Sequence, residues 1–243
     1  MGEAFFWGLV AGVSLVVGGV VARRLPISRR LLGLIMAFGA GVLISAVAYE
    51  LVHEAFETSA GDGGIALGLL AGSVVFFLGE LLIDRLGGDT EAGTSEGHAG
   101  QAGRAIVLGI ILDGIPESFV LGLTVLEAGT VSAAFLVAVF LSNLPEAIAA
   151  TTALGHAGRD TMRIMRFWVL VAIGFGVTSA AGYVLLDGAS PRTIAFVLAF
   201  AGGAVLTMLA NTMMPEALRH GGKLAGLLTT LGFALAFGIS SLQ

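Results

Sequence analysis

Eight apolar runs follow one another along this chain, and their length constrains the fold more than any other feature. Each run has about 20 residues or more, the length that an α-helix needs to cross the hydrocarbon core of a bilayer. Hydrophobic residues make up 56% of the chain and charged residues only 12%, whereas soluble domains carry about 25% charged residues. We therefore predict an all-α polytopic membrane protein, one domain over residues 1–243, with spans near 4–22, 31–55, 64–84, 104–125, 130–154, 164–186, 193–215 and 223–241.

The basic residues predict an orientation for these spans. Eleven of the 12 lie in or beside odd-numbered loops, and only Arg192 lies in an even-numbered one. Because loops rich in Lys and Arg stay in the cytoplasm, we expect both termini to face outward. Residues 87–103, rich in Gly, Ser, Thr and acids, are then predicted to form a flexible cytoplasmic loop. A net charge of −5 argues against a nucleic-acid partner.

Small residues recur at a spacing that lets helices approach closely. Gly8 and Gly12, and likewise Gly68 and Gly72, form small-xxx-small pairs. We expect these pairs to pack helices within one subunit, with a role in dimerisation as the alternative.

Two neighbouring apolar runs each contain a Pro-Glu pair. Pro116 and Glu117 follow Asp113 in the fourth run, and Pro145 and Glu146 occur 29 residues later in the fifth. A carboxylate in the bilayer core costs several kcal/mol unless it is paired, hydrated or bound to a cation. Proline also removes a helical hydrogen bond and frees a backbone carbonyl. These features predict two helices that form the walls of a cation site.

Helical spacing adds further oxygen atoms to this predicted site. Asp113 and Glu117 are four residues apart, as are Ser142 and Glu146, and Asn143 lies beside the latter pair. Oxygen-rich shells suit hard or borderline divalent cations. We predict that Asp113, Glu117, Ser142, Asn143 and Glu146 bind a divalent cation, with no organic cofactor. The alternative is that these acids only join neighbouring helices.

The empty site should hold a proton, since three clustered carboxylates resist simultaneous ionisation.

Polar residues at the ends of other spans suggest a route to the site. A stripe on span two predicts a mouth that concentrates cations, and acids and amides at the ends of spans three and seven either line an inner exit or cap helices. The residues concerned are Glu50, His53 and Glu54 for the mouth, and Glu80, Asn211 and Glu216 for the exit.

These segments resemble motifs of the ZIP family of divalent metal transporters. Residues 113–118 (Asp-Gly-Ile-Pro-Glu-Ser) align with the family's His-Asn-x-Pro-Glu-Gly on span four. Residues 142–147 (Ser-Asn-Leu-Pro-Glu-Ala) align with its His-Glu-x-Pro-His-Glu, or Gln-Asn-x-Pro-Glu, on span five. Residues 50–55 and 214–217 are similar to its His-Leu-Leu-Pro-Glu-Ala and Leu-Pro-Glu-Ala segments on spans two and seven.

The resemblance covers nearly the whole chain and implies several properties. They are eight helices in a 3+2+3 inverted repeat, zinc or related metal transport toward the cytoplasm, a binuclear metal site and a homodimer. For the location we expect the cytoplasmic (inner) membrane of a bacterium. The chain departs from the family at the metal site, where Asp113 and Ser142 replace imidazole or amide ligands, Gly114 replaces asparagine, and span six offers no carboxylate. Loss of imidazole moves the site toward oxygen chemistry. Among the family's charged ligands, only Glu117 and Glu146 are matched residue for residue.

Other functions are less consistent with the residues. An intramembrane serine protease needs a Gly-x-Ser-Gly turn with a membrane histidine, and an intramembrane aspartyl protease needs two aspartates within spans. The chain offers neither set, and Asp113 is the one aspartate at a span's midplane. We therefore predict no enzyme. The remaining alternative is a metal-binding sensor or scaffold that has the same fold and does not transport.

Overall fold

The computed structural model describes residues 1–59, 63–87 and 96–242, which form a bundle of helices without strands. The prediction of an all-α fold is confirmed, and each predicted span overlaps one helix. The helices are α1 (Gly2–Arg24), α2 (Arg29–Ser59), α3 (Gly64–Gly87), α4 (Glu96–Ala128), α5 (Ala133–His156), α6 (Thr161–Leu185), α7 (Pro191–Gly221) and α8 (Leu224–Ser240).

Seven of these helices, α1 to α7, are long and apolar enough to cross a membrane, and α8 is an apolar helix of 17 residues. The chain is therefore an integral membrane protein. The predicted loop 87–103 falls partly outside the described residues, at 88–95. Within the described part, α4 already begins at Glu96, so the connection between α3 and α4 is shorter than the sequence predicted.

Side-chain caps define where several helices begin. Ser28, Ser132 and Ser190 each accept a hydrogen bond from the backbone N–H three residues later, and Asp160 does the same at α6. Such caps satisfy donors that the first helical turn leaves free. Gly129 follows the end of α4 with φ of 72°, a left-handed conformation that glycine adopts without a steric penalty.

Close backbone contacts hold α2 against α8. A Cβ atom on Gly41 would lie under 3.0 Å from the carbonyl oxygen of Thr229, and a Cβ atom on Gly232 would lie equally close to that of Phe38. Only glycine fits at such a contact, so these two residues set the separation of the two helices.

The packing of α3 against α7 follows the same pattern. Gly72 lies against the carbonyl of Phe200, and Gly203 lies against the carbonyl of Leu69. Gly68 lies against α7 as well, while Gly8 and Gly12 lie against α6. The small-xxx-small pairs therefore pack helices within one subunit, as predicted.

Helices α2 and α7 each contain a π-helical stretch, at Val47–His53 and Leu209–Met213. A π-helical stretch places one extra residue in a turn and is frequently found at functional sites. Glu50 lies in the first stretch, and Asn211 and Thr212 lie in the second. Three residues predicted for the mouth and the exit, Glu50, His53 and Asn211, thus share this rare backbone conformation.

Candidate metal site

The two prolines lie inside continuous helices, Pro116 in α4 and Pro145 in α5. Proline at position 145 removes the usual donor to the carbonyl of Leu141. That carbonyl oxygen faces α2, where a Cβ atom on Gly39 would lie 3.3 Å away. The freed carbonyl is thus accommodated at a helix contact by a residue without a side chain.

Three of the five predicted metal ligands are almost completely buried. The exposed fraction is 1% for Glu117, 0% for Ser142 and 2% for Asn143. Asp113 and Glu146 are partly buried. Burial at this depth removes the water that would otherwise solvate a carboxylate or an amide.

Several of these buried groups have no hydrogen-bond partner among the described residues. Glu117 Oε2, Asn143 Nδ2 and Glu146 Oε2 are all in this condition. A buried polar group without a partner costs about 1–3 kcal/mol, and more when it is charged. By contrast, the Ser142 hydroxyl donates to the carbonyl of Val139 over 3.0 Å and keeps its oxygen lone pairs.

The three carboxylates are close enough for their charges to interact. Asp113 interacts with Glu146, Glu117 with Asp113, and Glu146 with Glu117. The three acids of α4 and α5 therefore form one electrostatic cluster. The structure thus places these three acids within electrostatic range of one another.

The cluster is not a closed coordination shell. In the described part of the chain, no three histidine, aspartate or glutamate side chains are grouped so that one metal ion could contact all of them. A divalent ion at this place would draw on amide, hydroxyl and water oxygens besides the carboxylates, as hard cations commonly do.

A cavity beside Glu50, the Glu50 cavity, has a volume of about 350 Å³. All three residues predicted at the mouth line it, together with the end of α4 and the beginning of α5. Glu50 accepts hydrogen bonds from Ser132 over 2.5 Å and from Ser240 over 2.6 Å. The cavity lining includes Glu50, His53, Glu54, Thr124, Glu127, Ser132 and Ser240.

The second cavity, the Asp113 cavity, has a volume of about 420 Å³. It connects a predicted ligand, Asp113, with two residues of the predicted exit, Glu80 and Asn211. The carboxylate of Glu80 accepts a hydrogen bond of 2.6 Å from Asn211 and one of 3.3 Å from Thr212. The charges of Glu80 and Asp113 also interact.

Glu216 lies apart from the lining of the Asp113 cavity. Its carboxylate is 3.5 Å from His220, one helical turn further along α7. Among the predicted exit residues, Glu80 and Asn211 therefore share a cavity, while Glu216 pairs with a neighbour on its own helix.

Sequence reasoning missed some residues of these cavities. Glu127, whose charge interacts with that of Glu54, could have been found as an acid at the end of an apolar run. Ser132 carried a helix-cap signal, but no sequence pattern linked it to Glu50.

Comparisons with known proteins add no identity: no protein-family model matches the chain, and no curated protein matches it.

Proposed function

We propose that this protein carries divalent metal cations across a membrane toward the cytoplasm, through an oxygen-rich site on α4 and α5. The observation that carries the proposal is the pair of buried, unpartnered carboxylate oxygens at the two Pro-Glu segments, Glu117 Oε2 and Glu146 Oε2. Buried polar groups are nearly always paired in folded proteins, so each exception calls for an explanation. A dehydrated cation bound by these residues would remove the cost of burying both carboxylates.

Charge supports a cation over other cargo. Asp113, Glu117 and Glu146 carry −3 when all are ionised, and their mutual interaction makes that state unfavourable in a buried site. One divalent ion would offset two of these charges. The donor atoms are oxygens, with nitrogen and sulfur ligands absent from the set, which favours metals such as Mn, Fe, Co, Zn or Cd that accept oxygen ligands.

Access from two directions supports transport. Thr124 and Glu127 line the Glu50 cavity, whereas Gly109 and Asp113 line the Asp113 cavity. At about 1.5 Å rise per residue, these parts of α4 are roughly 15–25 Å apart along the helix. Glu117 lies between them, as expected for a central site reached alternately from each side.

An internal repeat also supports transport, because many carriers consist of two inverted halves. One constant shift in residue number maps Phe38 and Gly41 of α2 onto Phe200 and Gly203 of α7, and brings the start of one π-helical stretch onto the start of the other. A second constant shift maps Leu69 and Gly72 of α3 onto Thr229 and Gly232 of α8.

The two sets of reciprocal glycine contacts, α2 with α8 and α7 with α3, are equivalent under this mapping. We therefore propose the 3+2+3 arrangement, in which α1–α3 repeat as α6–α8 around the central pair α4 and α5. The distribution of basic residues adds outward termini. The resemblance to ZIP transporters adds a bacterial inner membrane and a homodimer.

Uptake by proteoliposomes tests the function. Wild-type protein should accumulate Mn²⁺ or Zn²⁺ in vesicles, and Glu117→Gln or Glu146→Gln should each abolish uptake, because a neutral amide keeps the size of the side chain and removes its charge. Asp187→Asn, in an exposed turn between α6 and α7, is the matched control and should transport normally.

Two results would contradict the proposal. Normal uptake by both glutamine variants would exclude the carboxylates as the cation site. Metal binding by the purified wild-type protein without any flux would identify a sensor or scaffold instead of a transporter.

A further inference from the structure

The two halves of the candidate site share one Pro-Glu pattern, and their polar side chains differ at two neighbouring positions, 113 against 142 and 114 against 143. Each residue of the α4 segment has a counterpart 29 residues later in α5: Asp113 with Ser142, Pro116 with Pro145, and Glu117 with Glu146. Asn143 of α5 is buried and offers an amide. Its counterpart in α4 is Gly114, which offers no side chain.

The ring of Phe175, on α6, occupies the space beside Gly114. A Cβ atom on Gly114 would lie under 3.0 Å from two ring atoms of Phe175, Cζ and Cε1. Phe175 is itself only 4% exposed, so the ring has little freedom to move aside. No side chain fits at position 114 while this ring is in place.

Helix α6 supplies no replacement ligand at this side of the site. Residues 161–185 contain no carboxylate, amide or imidazole side chain. Ser179 of α6 lies against Gly122 of α4 through its backbone carbonyl. Its hydroxyl donates to the carbonyl of Ala4 in α1 over 2.7 Å. The ligands of the α4 half are therefore two carboxylates, Asp113 and Glu117.

The internal repeat shows what stands in place of Phe175 in the other half. In the packing of α1 against α6, Gly8 lies against Gly176 and Gly12 lies against Ala172. Under the repeat, Gly8 corresponds to Ala172 and Gly12 corresponds to Gly176, so the two contacts are equivalent. The same shift in residue number makes Ala11 the counterpart of Phe175. Ala11 is fully buried and small. One half thus combines alanine with asparagine, and the other combines phenylalanine with glycine.

One half combines a small residue with an amide, and the other has an aromatic ring beside a glycine. From this difference we infer that the site binds a single divalent cation per chain, on its α5 side. Phe175 excludes a second ion from the α4 side. The inference rests on the proposed function. The single ion draws on the carboxylates of Glu146 and Glu117 and on the amide of Asn143. Phe175 determines stoichiometry by filling the space of a second amide ligand with an apolar ring.

Metal stoichiometry of the purified full-length chain tests the inference. Calorimetric titration with Mn²⁺ and with Zn²⁺, checked by elemental analysis after gel filtration, should give one ion per chain. Phe175→Ala alone should keep one ion, because it opens space without adding a ligand. Gly114→Asn combined with Phe175→Ala should bind two ions, because position 114 then offers the amide ligand that Asn143 offers in α5.

The control is Gly155→Asn, which adds the same amide at a glycine with open space around it and should leave one ion bound. Two ions in the wild-type protein would overturn the inference and leave the transport proposal intact. No binding in the wild-type protein, together with no uptake, would overturn the proposed function itself. A folded double variant that still binds one ion would show that Phe175 does not limit the stoichiometry. Because the wild-type measurement needs no substitution, the inference is tested even if the double variant fails to fold.

Discussion

Ser132 donates a hydrogen bond of 2.5 Å to Glu50, and so joins the residue that caps α5 to the π-helical stretch of α2. Ser240, at the end of α8, donates to the other carboxylate oxygen over 2.6 Å. Both oxygens of Glu50 are therefore engaged by hydroxyl groups from different helices. This three-helix connection, the Glu50 clasp, lies in the lining of the Glu50 cavity.

Weakening the Glu50 clasp should open that cavity. Ser240→Ala removes one hydrogen bond to the carboxylate, worth about 1 kcal/mol, so the open population should rise about fivefold. The chain contains no cysteine, so Val131→Cys, at a buried position in the cavity lining, gives a single labelling site. The reaction rate of Val131→Cys with a membrane-impermeant maleimide should increase in the Ser240→Ala background.

Ser241→Ala is the control for this experiment, because its hydroxyl donates to the carbonyl of Gly238 within the same segment. An equal labelling rate in the Ser240→Ala and Ser241→Ala backgrounds would show that the clasp does not restrict access.

Metal preference should follow the ligand atoms at Asp113 and Ser142. Replacing both residues by histidine adds imidazole, which borderline metals such as zinc prefer to carboxylate or hydroxyl oxygen. The double variant should rank Zn²⁺ above Mn²⁺ more strongly than the wild-type protein does, in competition binding. An unchanged ranking in a folded double variant would mean that these positions do not set selectivity.

Cation binding should weaken as the pH falls. The clustered carboxylates of Asp113, Glu117 and Glu146 cannot all ionise without a counter-charge, so the metal-free site retains a proton that the arriving ion must displace. Raising the proton concentration therefore opposes binding. Titrations in two buffers with different ionisation enthalpies should give different heats near neutral pH. Identical heats would exclude proton release.

Helix packing should be sensitive to a single methyl group at Gly72. Its Cβ would collide with the backbone carbonyl of Phe200, which cannot rotate away as a side chain would. Overpacking of this kind costs about 1–3 kcal/mol, so Gly72→Ala should lower the free energy of unfolding by that amount. Gly226→Ala, with open space around it in α8, should be neutral or slightly stabilising.

Replacing Gly114 by alanine should have a comparable cost, because the new methyl group meets the ring of Phe175. The combined Gly114→Ala and Phe175→Ala substitution should recover part of the free energy of unfolding, since the collision disappears. Strictly additive losses in the two single variants and the double variant would indicate that these residues do not constrain each other.

The sequence predicted the helices well because their length and apolar composition are local properties. It also placed Pro116 and Pro145 in adjacent apolar runs, and the structure brings Asp113, Glu117 and Glu146 into one electrostatic cluster. What the sequence could not predict depends on distant partners. Nothing local to α4 indicates that Phe175 fills the space beside Gly114. The two π-helical stretches also left no recognisable pattern in the residues.

The hydrogen bond between Glu50 and Ser240 has a counterpart at the Asp113 cavity. Under the repeat, Thr212 corresponds to Glu50 and Glu80 corresponds to Ser240, and Thr212 and Glu80 are also bonded to each other. At the Glu50 cavity the carboxylate, Glu50, lies on α2, which contains a π-helical stretch. At the Asp113 cavity the carboxylate, Glu80, lies on α3. The two cavities share a backbone plan but place their negative charge on opposite partners. For the proposed transporter we therefore expect rectification, that is, unequal flux in the two directions under equal and opposite gradients.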